Sequence, residues 1–247
     1  MLGPGQMPAA AVTFDLGDTL IGSGQSFSVR LRRLHRWLAE HDVVISLGRV
    51  ESALKAAAET QTLAWRWGHQ GSVQGFVREV MLRLRLRPPA DHRLELQQLL
   101  EDPDPDLVLT ASPGAGEALE QLRSAGLRLG IVCDALLPPG RVIRRQLRAI
   151  GLLEFFEPQA IAFSDEVGVP KPDPELFLTS LRQLEAPPEM AVHVGDLKLF
   201  DVAGARRAGM LSVRYTGCRN DPAPGPEADV VLGDLSALPA AVASARG

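Results

Sequence analysis

The stretch Val12-Thr13-Phe14-Asp15-Leu16-Gly17-Asp18-Thr19-Leu20 decides how this chain is read. A short apolar run, β-branched and aromatic, ends on an aspartate and meets a tight glycine-containing turn, the pattern of a buried strand. Asp15 therefore sits at the carboxyl edge of a sheet, the edge where ligands bind in open α/β folds. Alone it would be an ordinary turn carboxylate. Its weight comes from two later stretches, Gly168-Val169-Pro170-Lys171-Pro172-Asp173-Pro174 and Val194-Gly195-Asp196-Leu197-Lys198-Leu199-Phe200-Asp201.

Working outward, the segment from about Phe27 to Pro105 reads helical. Its stripes are Leu31/Leu34/Leu38, Val50/Leu54/Ala57/Gln61 and Val73/Phe76/Val77/Val80/Met81/Leu84, and Leu94 with Leu99 marks a fourth, short helix. Pro88-Pro89 and Asp102-Pro103-Asp104-Pro105 act as stops. From Thr110 onward strands alternate with helices, which implies parallel pairing through right-handed crossovers. Strands are expected at 127–133, 160–163, 190–194, 211–215 and 230–232, and helices at 117–125, 141–150, 174–184, 200–208 and 235–243. The expected fold is α/β: a doubly wound parallel sheet from residues 1–21 and 110–247, with an all-helical cap domain, 22–109, inserted after the first strand.

The chain has 247 residues, 45% hydrophobic and 23% charged, with a formal charge of −4. That balance provides no reason to expect nucleic acid or an anionic membrane as partner. No apolar run is of spanning length, and residues 1–10 read as a frayed leader without signal-peptide order. Cys133 and Cys218 form neither a disulfide framework nor a zinc site. A cytoplasmic protein, monomer or homodimer, is expected.

Carboxylates at strand ends suit an octahedral, oxygen-seeking cation such as Mg²⁺. Asp196 follows a strand, and Asp201 opens the next helix as ligand or support. A carboxylate nucleophile can attack phosphorus, provided that a cation and a lysine offset the charge repulsion. Lys171, between two prolines, fits that need in a chain with 3 Lys and 23 Arg.

These residues, in this order, resemble the haloacid dehalogenase superfamily, in the phosphatase-like branch with a helical cap after the first strand. The match covers most of the chain. The resemblance implies Asp15 as nucleophile, Lys171 as partner of phosphate and Asp15, and Mg²⁺ held by Asp15, Asp196, Asp201 and the Gly17 carbonyl. It implies a hydrolase of a small phosphorylated metabolite.

Two departures stand out. The family's phosphatases carry a second Asp two residues after the nucleophile, which protonates the leaving group; Gly17 holds that place, with Asp18 one residue further on. Cys133 replaces a phosphate-binding Ser or Thr and is followed by Asp134, which would repel a phosphate if it pointed inward. Cys133 reads first as a buried small hydrophobe and only second as a phosphate contact. Thr19 reads as a hydroxyl bonded within its loop, and His193 as a satisfied sheet residue. Trp65 and Trp67 read first as helix packing, with a place along a substrate cleft as the alternative. The alternatives are a catalytically impaired relative that binds Mg²⁺ and phosphate, a phosphonate hydrolase using Lys55, and a metal-independent dehalogenase. The acidic Asp196/Asp201 pair argues against the last.

Overall fold

Strand β1 (Ala11–Phe14) is buried along its whole length because it lies in the middle of the sheet. The computed structural model describes residues 9–22, 26–102 and 109–244. The expected ends of the chain and the stop at residues 103–105 fall largely outside that range. Among the described residues six strands pair in parallel in the order β3-β2-β1-β4-β5-β6, with β2 at Arg128–Cys133, β3 at Ile161–Phe163, β4 at Ala191–Gly195, β5 at Leu211–Tyr215 and β6 at Val230–Leu232. Chain order reverses at β1, between β2 on one side and β4 on the other. A crevice forms outside the strand ends at such a switch point. The doubly wound sheet is as expected.

Helices α1 (Ser26–Glu40), α2 (Leu47–Arg66), α3 (Val73–Leu84) and α4 (Ala90–Glu101) lie between β1 and β2. They pack around a cluster of their own that includes Leu34, Leu38, Val50, Val80, Leu96 and Leu100. Ser72 caps α3 by accepting the Gly75 N–H at 3.1 Å, and Arg85 closes it in the left-handed conformation. The fourth helix exists, but its inward pair differs from expectation. Leu96 and Leu100 are fully buried, whereas Leu94 is 56% exposed. Two residues along a helix is about 200° of rotation, so Leu94 and Leu96 face opposite sides.

The two ends of this insertion are pinned together, since the Gly22 N–H donates to the Thr110 carbonyl at 3.0 Å and Ile21 bridges Ala111. The sheet is flanked by α5 (Ala115–Ser124), α6 (Gly140–Ala149), α7 (Ser164–Val167), α8 (Pro174–Gln183), α9 (Ala203–Arg207) and α10 (Leu238–Ser244). Helix α6 also ties bundle to sheet. Arg145 donates to both oxygens of Asp102 at 2.7 Å each, and Arg141 pairs with Glu101. No helix among the described residues is long and apolar enough to cross a membrane.

Candidate active site

The register of β1 against β4 builds the site. Thr13 lies opposite His193 and Phe14 opposite Val194, so Asp15 and Asp196 leave adjacent strands side by side. The Asp15 N–H donates to the Val194 carbonyl at 2.8 Å, which fixes where its side chain starts. Lys171, brought in by the loop before α8, donates from Nζ to Asp15 Oδ1 at 2.5 Å and to Asp201 Oδ1 at 2.7 Å. All three side chains are buried.

Asp201 is reached differently from the expectation of a simple helix start. Residues Lys198–Val202 form one π-helical turn before α9, a distortion frequent at functional sites. The turn swings the carboxylate back, so that its Oδ2 accepts the Leu197 N–H at 2.9 Å. Gly195 makes room for it: a Cβ there would lie 2.3 Å from Asp201 Cγ. His193 Nε2 lies 3.2 Å from Asp201 Oδ1, and its Nδ1 lies 2.9 Å from Thr13 Oγ1. An ionised carboxylate only accepts, so Nε2 donates and Nδ1 takes the Thr13 hydroxyl. His193 is thus a satisfied sheet residue whose partner belongs to the site.

One oxygen from each of Asp15, Asp196 and Asp201 lies within 4.8 Å of the others, the metal-compatible group found among the described residues. Burial pushes the Asp15 carboxyl up against the pull of Lys171. Asp196 is pushed up to about 8 by burial and by its two acidic neighbours. Burial also raises Asp201, but Lys171 and His193 outweigh it and hold the group well below the usual carboxylate range. Three hard oxygen donors gathered in a dry site fit a divalent cation.

The cleft in front of Asp15 and Lys171 encloses about 850 Å³ between the sheet edge and the helical bundle. Gly17, Cys133, Asp134 and Asp196 line it, and Asp201, bonded to Lys171, is not among the lining residues. Asp134 Oδ1 accepts the Lys171 backbone N–H at 2.8 Å, and burial pushes its carboxyl up to about 7. Burial likewise raises the Cys133 thiol well above its ordinary value.

A family model described as haloacid dehalogenase-like hydrolase matches residues 9–209. The chain belongs to that family. It is 30% identical over 220 residues to the glyceraldehyde 3-phosphate phosphatase of Methanopyrus kandleri, covering 83% of this chain and 82% of the relative. It is also 30% identical to the mouse haloacid dehalogenase-like hydrolase domain-containing protein 3 (Mus musculus), with 83% and 81% covered. In fold it is similar to an HAD phosphatase from Thermococcus onnurineus, with a TM-score of 0.69, 24% identity and coverage of 98% and 100%.

One side chain at the site of this family member, Arg219, escapes a reading of the sequence. Arg219, in the loop after β5, donates from Nη2 to Asp196 Oδ2 at 2.9 Å, and its Nε lies 3.8 Å from Asp18 Oδ2. Only the strand order, which puts β5 beside β4, would have pointed to it. Trp65 lines the cleft, whereas Trp67 is 79% exposed. Thr19 is fully buried, but its hydroxyl meets no acceptor, contrary to the expected bond within the loop. Lys55 pairs with Glu51 at 2.6 Å on an exposed face of α2 and does not line the cleft.

Proposed function

We propose that the protein is a Mg²⁺-dependent phosphatase of small phosphorylated metabolites that works through an aspartyl-phosphate on Asp15. The observation that carries this reading is the buried contact of Lys171 with Asp15 and Asp201, with Asp196 alongside, at the floor of the cleft. Relatives named as glyceraldehyde 3-phosphate phosphatase and, from Thermus thermophilus, phosphoserine phosphatase support it.

In this reading Lys171 holds Oδ1 of Asp15, and the other carboxylate oxygen attacks phosphorus. The O–P bond to Asp15 forms as the ester O–P bond breaks, and the departing alkoxide takes a proton from water in the cleft. Water then attacks the phosphorus of the acyl phosphate, freeing inorganic phosphate and restoring Asp15. Asp15, Asp196, Asp201 and the Gly17 carbonyl would hold Mg²⁺, and Lys171 ties Asp201 to Asp15. When bound, the ion offsets the charge of carboxylate and phosphate. Cys133 and Asp134 flank the phosphate position. The helical bundle serves as a cap over the cleft, where excluding water strengthens the Lys171 interactions.

Gly17 offers no side chain to protonate the leaving oxygen, so turnover is slow for esters with poor leaving groups. That same residue favours the second reading, a relative that binds Mg²⁺ and phosphate without efficient turnover. Lys55, paired with Glu51 away from the cleft, gives no support to phosphonate chemistry. The test is Mg²⁺-dependent hydrolysis of p-nitrophenyl phosphate, whose leaving group needs little protonation. Turnover that needs Mg²⁺ and is lost in Asp15→Asn is expected. Equal rates for the two proteins, with Mg²⁺ binding intact, would move the assignment to the binding role.

A further inference from the structure

The wall of the cleft that faces Asp15 carries a cation whose hydrogen bonds are not all made. Arg30, on α1, is 6% exposed and lines the cleft. Its Nε donates to the Leu100 carbonyl of α4 at 2.8 Å, which fixes the guanidinium in place. Its Nη2 is buried and meets no acceptor. Burial lowers its pKa to about 10, so the group is still charged at neutral pH. The acid that acts on it electrostatically is Asp102, yet both Asp102 oxygens are taken by Arg145. Trp65, on α2, repeats the pattern. It lines the same cleft, and its indole N–H is buried without an acceptor.

Buried donors left unmade are rare, and a buried charge without a partner is costlier still. A neutral hydroxyl or carbonyl would satisfy a hydrogen bond but leave the desolvated charge with only the attraction of Asp102, which is already bonded to Arg145. An anionic group would answer both. The phosphoryl group that Asp15 attacks sits at the other side of the cleft, beside Lys171. A volume of about 850 Å³ is well within the range for a whole small-molecule ligand, so there is room for a second functional group.

We propose that Arg30, assisted by the Trp65 N–H, is a specificity-determining subsite that selects phosphomonoesters bearing a second anionic group, a carboxylate or another phosphate. This rests on the phosphatase reading and narrows its substrate class. Phosphomonoesters whose phosphate is their one anionic group, such as glycerol 3-phosphate, would leave Arg30 unpaired and turn over poorly.

The test compares kcat/KM for 3-phosphoglycerate, fructose 1,6-bisphosphate and glycerol 3-phosphate in the full chain and in Arg30→Gln and Trp65→Phe. At least one anionic substrate is expected to exceed glycerol 3-phosphate by about 10–100-fold, the range for a hydrogen bond to a charged group. Which of the two does so identifies the anion. Arg30→Gln should bring that ratio close to one, and Trp65→Phe should lower it by a smaller factor. A merely structural role for Arg30 would lower all three substrates together and keep the ratio, and that result overturns the proposal. So does a wild-type protein with no preference. If no phosphomonoester turns over, the phosphatase reading fails on its own. Titration calorimetry of Asp15→Asn with the same three compounds then decides the subsite. Tighter binding of an anionic compound that disappears when Arg30→Gln is added upholds it, and equal binding of all three overturns it.

Discussion

The sheet edge and the helical bundle that faces it treat buried charge in opposite ways. At the sheet edge Lys171 meets two carboxylates, and Asp201 takes bonds from Lys171, His193 and the Leu197 N–H, so each group is defined by its partners. On the bundle side Arg30 Nη2 and Trp65 Nε1 face the same cleft with no acceptor. The difference follows from how the two regions are made. Parallel strands in fixed register deliver Thr13, His193, Asp15 and Asp196 to one place through backbone hydrogen bonds. Helices deliver side chains by faces, and what those faces meet depends on how the helices pack. In the proposed function the sheet edge carries the reaction, and in the proposed subsite the bundle wall distinguishes one substrate from another.

The sharpest break in this comparison is at Gly17, which in the proposed mechanism leaves the departing oxygen without a side-chain acid at that position. A Cβ there meets nothing within 4 Å, and the residue is not in the left-handed region. Gly17→Asp should therefore be accommodated. It is expected to raise turnover of esters with poor leaving groups, on the order of 10²-fold or more, the contribution of a placed general acid. The gain on p-nitrophenyl phosphate should be smaller, and the ratio of the two gains is the measurement. An equal gain on both would mean that Gly17 is not the missing acid's position.

Next comes the cation that holds the edge together. Lys171→Met leaves Asp15 facing Asp201 with no cation between them and Asp201 with only His193 and the Leu197 N–H, a change worth about 3–5 kcal/mol for a broken buried pair. For a chain of this size that amounts to a fall in Tm of roughly 6 °C or more, read by calorimetry. Arg30→Gln removes a charge that is not fully partnered, so its Tm should move far less. Similar losses in the two variants would erase the contrast between the regions.

The smallest expected effect is at Asp134. Its carboxyl holds its proton in the fold up to about pH 7, against 3.8 for an unperturbed group, because of burial. Between those values the folded state binds more protons than the unfolded one, so this group makes stability fall as pH rises from about 4 to about 7. Asparagine keeps an acceptor for the Lys171 N–H and carries no charge. Asp134→Asn should raise Tm by a few degrees at pH 8 and leave it nearly unchanged at pH 4. A constant offset at both values would show that charge is not the cause.

Much of this was open to reading in the residues themselves. The apolar run ending at Asp15, the prolines around Lys171 and the Gly195-Asp196 step each mark a strand end or a rigid loop. The glycine and proline punctuation placed the other strands to within a residue or two. Amphipathic stripes revealed three of the bundle helices, but in α4 two leucines two residues apart compete for the inward face, and packing alone selects Leu96. The π turn that aims Asp201 gives no local signal, because its sequence is equally compatible with an ordinary first helical turn.

The amino-acid sequence by itself determined the doubly wound sheet, the helical insertion and the set Asp15, Lys171, Asp196 and Asp201, because strand ends and turns are encoded by residues close together in the chain. Only the tertiary structure decided which side chains meet. Arg219 reaches Asp196 across 23 residues, and Lys171 joins Asp15 across 156. Arg30 and Trp65 come to one cleft from two helices. Contacts of that kind depend on strand register and helix packing, which local sequence patterns do not express.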